Sequence, residues 1–133
     1  MIYLLDTNTC IRFLRDAASP VGQRMAQIPY HDIALCAIVK AELYYGAQRS
    51  ANPEHARRTL KEFAAHFSSL PFDDHGAVLY GEIRADLTQR GLIIGPNDLF
   101  IAATALAHQA TLVTHNTREF SRVPGLCLED WEV

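Results

Sequence analysis

Ile2-Tyr3-Leu4-Leu5-Asp6-Thr7-Asn8 is the stretch that gives the rest of the chain its places. Four apolar or aromatic residues run without a break into a carboxylate, and a helix-like apolar pattern starts directly after Thr7 and Asn8. An unbroken apolar run suits a strand buried on both faces, as in a parallel sheet covered by helices. Ligands of such sheets gather beyond the carboxyl ends of the strands, and Asp6 would stand at that edge.

Outward from this strand, helix and strand patterns alternate. Asn8 is a good N-cap for a helix to about Arg15 with Cys10, Ile11 and Leu14 as its buried stripe. Ser19 and Pro20 open a second helix to about Gln27, and Ile33 to Cys36 reads as a short buried strand. A helix follows over Ala37 to Ala47, with Ile38, Val39, Glu42 and Leu43 sharing one face by three- and four-residue spacing. Asn52 and Pro53 begin another, to about Phe67. Leu70-Pro71-Phe72 is an extended piece, and a helix then runs from about His75 to Gln89, closed by Gly91. Pro96-Asn97-Asp98 opens a helix to about Gln109 that is apolar nearly all round, the mark of a central buried helix. Thr111 to Asn116 is a buried strand ending in polar groups, Thr117 to Phe120 a helical turn, and Leu126 to Leu128 a last strand. The alternation predicts an α/β fold, a parallel sheet with helices on both faces, in a single domain over residues 1–133.

Composition narrows the class. A hydrophobic share of 49% with 20% charged residues is that of a globular protein rather than a disordered one. No apolar run approaches the ~20 residues of a membrane span, and the N-terminus lacks the pattern of a secretory signal. Cys10, Cys36 and Cys127 are an odd number without zinc-site spacing, so they are expected to be buried thiols in a reducing, cytoplasmic compartment. The six histidines are scattered and read as surface or packing residues. The formal net charge of -3 leaves nucleic-acid binding to the local distribution of charge.

Three acids hold special positions. Asp6 ends the first strand, Glu42 lies on an apolar helix face, and Asp98 is in the first turn of a buried helix; Asn116 ends a later strand, with Glu119 one helical turn on. Each has a plain alternative. Asp6 and Asp98 could serve only as helix-start residues, Glu42 could lean out to solvent, and Asn116 could be a turn residue. Together they are more informative, because clustered carboxylates repel and a hard divalent cation resolves the conflict. Such an ion can activate water for phosphodiester cleavage.

The segments Leu5-Asp6-Thr7-Asn8, Ala41-Glu42-Leu43-Tyr44-Tyr45-Gly46, Gly95-Pro96-Asn97-Asp98-Leu99-Phe100-Ile101-Ala102-Ala103 and Leu112-Val113-Thr114-His115-Asn116-Thr117-Arg118-Glu119-Phe120 occur in this order. Together they resemble the PIN-domain ribonucleases, and closely the VapC toxins of bacterial toxin–antitoxin pairs, over essentially the whole chain. The resemblance implies a three-layer α/β/α sandwich, with its central parallel sheet in the order 3-2-1-4-5. It implies an acidic pocket for magnesium or manganese, with Asp6 and Asp98 as direct ligands and Glu42 beside them. The fourth family position is often aspartate, and Asn116 and Glu119 are the nearest matches here. Thr7, Asn8 and Thr114 are expected hydrogen-bonding supports of the site, and Arg12, Lys40, Arg49 and Arg118 candidate phosphate contacts. Also implied are a VapB-type antitoxin, a homodimer, operator DNA bound only through the antitoxin, and an RNA substrate such as initiator tRNA cut in its anticodon loop. Two rivals stand beside this reading. One is a catalytically idle PIN-like module that binds RNA or protein, which Asn116 in place of an acid would favour. The other is an α/β phosphatase using Asp6 as nucleophile, which would be expected to carry a second aspartate where Asn8 stands.

Overall fold

Leu4 and Leu5 are fully buried at the middle of a five-stranded sheet, each such side chain stabilising the fold by roughly 1.5–3 kcal/mol. The structure, a computed structural model, describes residues 1–133. Strand β1 (Tyr3–Leu5) has parallel partners on both sides, β2 (Ile33–Cys36) and β4 (Thr111–Val113), so that Leu4 stands opposite Ala34 and Leu112. β3 (Ser68–Leu70) continues the sheet beyond β2, and β5 (Leu128–Glu129) beyond β4. The order is β3-β2-β1-β4-β5, parallel throughout, as expected. Because every strand points the same way, the chain leaves β1, β2 and β4 along one common edge.

Helices α1 (Thr7–Arg15), α2 (Pro20–Met25), α3 (Ala37–Gln48), α4 (Pro53–Ala64), α5 (Asp74–Gln89), α6 (Pro96–Ala107) and α7 (Thr117–Phe120) flank the sheet. α3 and α4 pack as a hairpin, burying Val39, Leu43 and Ala47 on one side and Leu60 and Phe63 on the other. α5 packs on α6. In α6, Ala102, Ala103 and Ala105 are fully buried beside Ile101, and their small side chains let neighbouring elements approach closely. α5 ends in a Schellman motif: Gly91 takes φ 68, its N–H donates to Thr88 O, and Leu92 N–H donates to Leu87 O. α6 ends the same way with Gln109 at φ 54, a left-handed conformation that costs an ordinary residue more than glycine.

Several boundaries differ from expectation. The N-cap of α1 is Asp6, not Asn8: Asp6 Oδ1 accepts the Thr9 N–H at 2.8 Å. The helix begins one residue after the sheet edge, and Asn8 lies exposed within its first turn. α4 ends at Ala64, short of Phe67, and the following strand is Ser68–Leu70 rather than Leu70–Phe72. It is an edge strand with exposed serines, so it carries little hydrophobic signal. α2 ends at Met25 and β5 falls at Leu128–Glu129, later than expected. Cys10 and Cys36 are buried, but Cys127 is exposed just before that edge strand.

Candidate active site

The shared strand edge collects acids from four elements. Asp6 follows β1 directly. Its backbone N–H donates to Val113 O, extending the β1–β4 ladder by one bond, and its side chain caps α1. That double attachment leaves the carboxylate only 4% exposed. Glu42 comes from the second turn of α3 and is half-buried. Its Oε1 accepts the Thr7 hydroxyl at 2.5 Å and its Oε2 a longer bond from Asn97 Nδ2 at 3.4 Å. Asp98 stands in the first turn of α6, whose N-cap, Gly95, has no side chain with which to cap. The cap is supplied from α7 instead: Glu119 Oε1 accepts the Gly95 N–H at 2.7 Å, and Glu119 Oε2 accepts Asn116 Nδ2 at 2.9 Å. A Cβ added to Gly95 would lie 3.7 Å from Glu119 Oε1 and 3.8 Å from Asp98 Oδ2, so the two acids flank the same backbone atom.

The electrostatics follow from this convergence. Asp98 is pushed up from 3.8 to about 6, first by burial, then by the negative charges of Glu119, Glu42 and Asp6. The edge is therefore a field of like charges with no side-chain cation paired to Asp6, Glu42, Asp98 or Glu119. No three His, Cys, Asp or Glu side chains close into a ready metal cage. Magnesium does not require one, since it keeps several waters and takes one or two carboxylates. The donor set is all oxygen and negatively charged, and Asp98 is held in a state that a cation would relieve. These residues fit a hard divalent ion.

The other predicted residues divide. Thr7 donates its hydroxyl to Glu42. Thr114 is fully buried and accepts the Asn116 backbone N–H at 3.0 Å, fixing the loop after β4. Asn8 is brought instead to the rim of a shallow cleft with Arg12, Arg15 and Glu132. Arg12 lies 3.7 Å from Glu132 and is already compensated. Lys40, two residues before Glu42, lies on the opposite side of α3 by helical geometry. Arg118 is exposed on α7. Arg49, stacked over the Tyr45 ring at 5.0 Å, lines a groove of about 460 Å³ with Arg15, Leu43 and Leu60 that runs up to Glu42. The sequence reading missed Arg15 and Asn97. Asn97 sits in the same segment as Asp98 and carried no periodic signal of its own. His115, next to Asn116, bonds Asp130 at 2.9 Å and is drawn to the C-terminal segment just past β5.

Comparison with known proteins bears on the family and the fold. A PIN-domain family profile matches residues 3–126. The chain is similar to a ribonuclease VapC2 of Rickettsia felis, 41% identical over 133 residues and 99% of each chain. It is also similar to a tRNA(fMet)-specific endonuclease VapC of Salmonella typhimurium, 35% identical over 129 residues and 97% of each. Among solved structures, the crystal structure of VapBC2 from Rickettsia felis bound to a DNA fragment from their promoter superposes with a TM-score of 0.92 at 40% identity. That match covers 98% of this chain and 99% of the other.

Proposed function

The chain belongs to the PIN-domain family, in its VapC ribonuclease branch, and from that premise we propose that it is a divalent-metal-dependent endoribonuclease, the toxin of a toxin–antitoxin pair. The observation that carries the chemistry is the convergence of Asp6, Glu42, Asp98 and Glu119 on one sheet edge, with Asp98 raised to about 6 first by burial and then by its acidic neighbours. Asp6 and Asp98 would hold the cation, with Glu42 beside them, and magnesium is the first choice, manganese the second. Bound there, the ion supplies water activation and stabilisation of the departing oxygen.

The chain's own residues do the rest. The cap bond to Thr9 occupies Asp6 Oδ1 and leaves the other oxygen for the site. Thr7 and Asn97 hold both oxygens of Glu42, so its carboxylate is oriented to position the attacking water. Glu119, tied to Gly95 and Asn116, anchors the start of α6 and thereby Asp98. Water attacks the scissile phosphate in line and the 3′ oxygen leaves, so the products carry 5′-phosphate and 3′-hydroxyl ends. The 35% identity to a tRNA(fMet)-specific endonuclease supports a structured RNA target, with initiator tRNA first among those to try. The match to a VapBC complex bound to promoter DNA supports a VapB-type antitoxin and operator DNA bound through it; that the antitoxin holds the enzyme idle and that the toxin is a homodimer belong to the same proposal. No helix is long and apolar enough to cross a membrane, and the cytoplasm is the proposed compartment.

The test is incubation of purified, antitoxin-free protein with total RNA, with magnesium and with EDTA. The wild type is expected to cut only with metal, and Asp6→Ala and Asp98→Asn variants to fail. Metal-independent cutting, or equal cutting by those variants, would refute the reading.

A further inference from the structure

An acidic catalytic edge repels RNA, so affinity for a polyanion has to come from cations placed elsewhere. Three arginines are committed to carboxylates: Arg12 to Glu132, Arg24 to Glu129 and Arg90 to Asp86. The remaining positive charge is unevenly spread. The α3–α4 segment, residues 37–64, carries five Lys/Arg against three Asp/Glu, whereas the rest of the chain carries seven against twelve. Arg57, Arg58 and Lys61 of α4 are exposed, and with the half-buried Tyr44 of α3 they line one concavity of about 460 Å³. The three- and four-residue spacing of Arg58 and Arg57 from Lys61 puts all three on one side of α4, while Leu60 and Phe63 turn inward. Glu54 and Glu62 lie on the same helix, but neither reaches ion-pair distance of these cations.

Resting on the nuclease reading above, we propose that Tyr44, Arg57, Arg58 and Lys61 form a docking surface for the phosphate backbone of the RNA substrate, outside the nucleotides that are cut. Glu42 and Tyr44 are two residues apart and so face opposite sides of α3. About one helix diameter, ~10–12 Å, separates the cut from the concavity. The concavity therefore grips a remote part of a folded RNA. Its lining decides between RNA and protein as occupant. A protein partner needs an apolar anchor at the centre of its interface. Tyr44 is the one apolar contributor here, and the groove on the other side of the hairpin, floored by Ile11, Leu14, Leu43 and Leu60, has the apolar surface this face lacks. Three uncompensated cations beside an aromatic ring suit phosphates with a neighbouring sugar or base.

The test uses the full-length protein and an Arg57→Gln/Arg58→Gln/Lys61→Gln variant, with unfractionated bacterial tRNA as the probe. Binding is measured by fluorescence anisotropy in EDTA over a potassium chloride series, so no chemistry intervenes. The variant is expected to bind roughly ten- to a hundredfold more weakly at low salt, with the slope of log affinity against log salt reduced by about two to three. It should melt with the wild type, since the replaced side chains are exposed. With magnesium, it should cut a short oligonucleotide carrying the junction that the wild type cuts at the wild-type rate, while its KM for the intact RNA rises. Equal affinity and slope for the two proteins would overturn the proposal, as would a wild type without salt-dependent binding. Loss of antitoxin binding with RNA affinity intact would overturn it too, marking a protein interface. A wild type that binds tRNA through this face in EDTA yet never cuts RNA would refute the nuclease reading instead.

Discussion

In metal-free buffer at neutral pH, Asp98→Asn is expected to raise the melting temperature even though it removes the proposed activity. Asp98 rises from 3.8 to about 6, which corresponds to a ceiling of ~3 kcal/mol of native-state destabilisation once the group is ionised. Two effects reduce that figure. The carboxylate is partly open to solvent, which screens its neighbours, and a charge in the first turn of α6 gains roughly 0.3–1 kcal/mol from the helix dipole that asparagine forgoes. A net gain of about 1–2 kcal/mol remains, or ~3–7 °C in a chain of this size.

The pH dependence gives the reasoning its sign. A carboxyl whose folded pKa lies above its unfolded value binds more protons folded than unfolded, so wild-type stability falls as pH rises from about 4 to about 6 and then levels off. The variant lacks that loss. Its advantage should be full at pH 7.5, about half at pH 5 and nearly absent at pH 4. Melting followed by circular dichroism in EDTA measures it, and added magnesium should raise the wild type more than the variant. A variant that melts at or below the wild type at pH 7.5, or an advantage that does not shrink on acidification, would refute the account of Asp98 as a repelled carboxylate.

Other expectations follow from single contacts. Thr7→Val removes the hydroxyl that donates to Glu42 Oε1 and should slow single-turnover cleavage about 10–100-fold, with Thr7→Ser restoring it. Gln109→Gly relieves the φ of 54 at the end of α6 and should stabilise the fold by about 0.5 kcal/mol, read as a small rise in melting temperature; a fall would show that the Gln109 side chain contributes more than its backbone costs. His115 is raised above 6.5 by its hydrogen bond to Asp130 and that residue's charge. Its contribution to stability is therefore present below 6.5 and lost as pH rises through the raised value. Its imidazole resonances should titrate late by NMR, and Asp130→Asn should bring them back toward the ordinary value.

The sheet and its acids were legible because their signals are local. Ile2 to Leu5 is an apolar run of strand length, and the alternation with helices implies the parallel order around it. Glu42 showed itself by standing on an apolar face. What was not legible depends on distance or exposure. Asn8 looked like a cap because asparagine is a strong capping residue close before the apolar period, yet the strand passes so abruptly into α1 that Asp6 caps the helix. β3 was displaced because a short polar edge strand has no hydrophobic pattern to read. The bond from Thr7 to Glu42 spans 35 positions, and that from Asn97 to Glu42 spans 55; no spacing rule reaches so far. The arginines were hardest. Whether a guanidinium is free, as in Arg57, or tied to a carboxylate, as in Arg12, is decided by partners that only the fold brings near.

The fourth corner of the site follows from the same point. In sequence, Asn116 stands where the family often has aspartate, which would leave the edge one charge short. In the fold, the single turn of α7 brings Glu119 back over Asn116, and the asparagine amide becomes a donor to the Glu119 carboxylate. Both Glu119 oxygens are held by neutral donors, Gly95 N–H and Asn116 Nδ2; among the charged neighbours of Asp98 it ranks first. The geometry thus offers Glu119, one turn along the chain, as the acid of this corner, with Asn116 as its hydrogen-bond donor. Asn116→Asp should then not improve the site. It replaces a donor by a second carboxylate against Glu119, exchanging a bond worth roughly 1.5–3 kcal/mol for like-charge repulsion. The metal-free variant should melt lower than the wild type at pH 7.5, with Glu119→Gln in the same background recovering part of the loss. If Asn116→Asp melts with the wild type and cuts RNA faster, the fourth corner belongs to position 116 after all, and Glu119 only caps a helix.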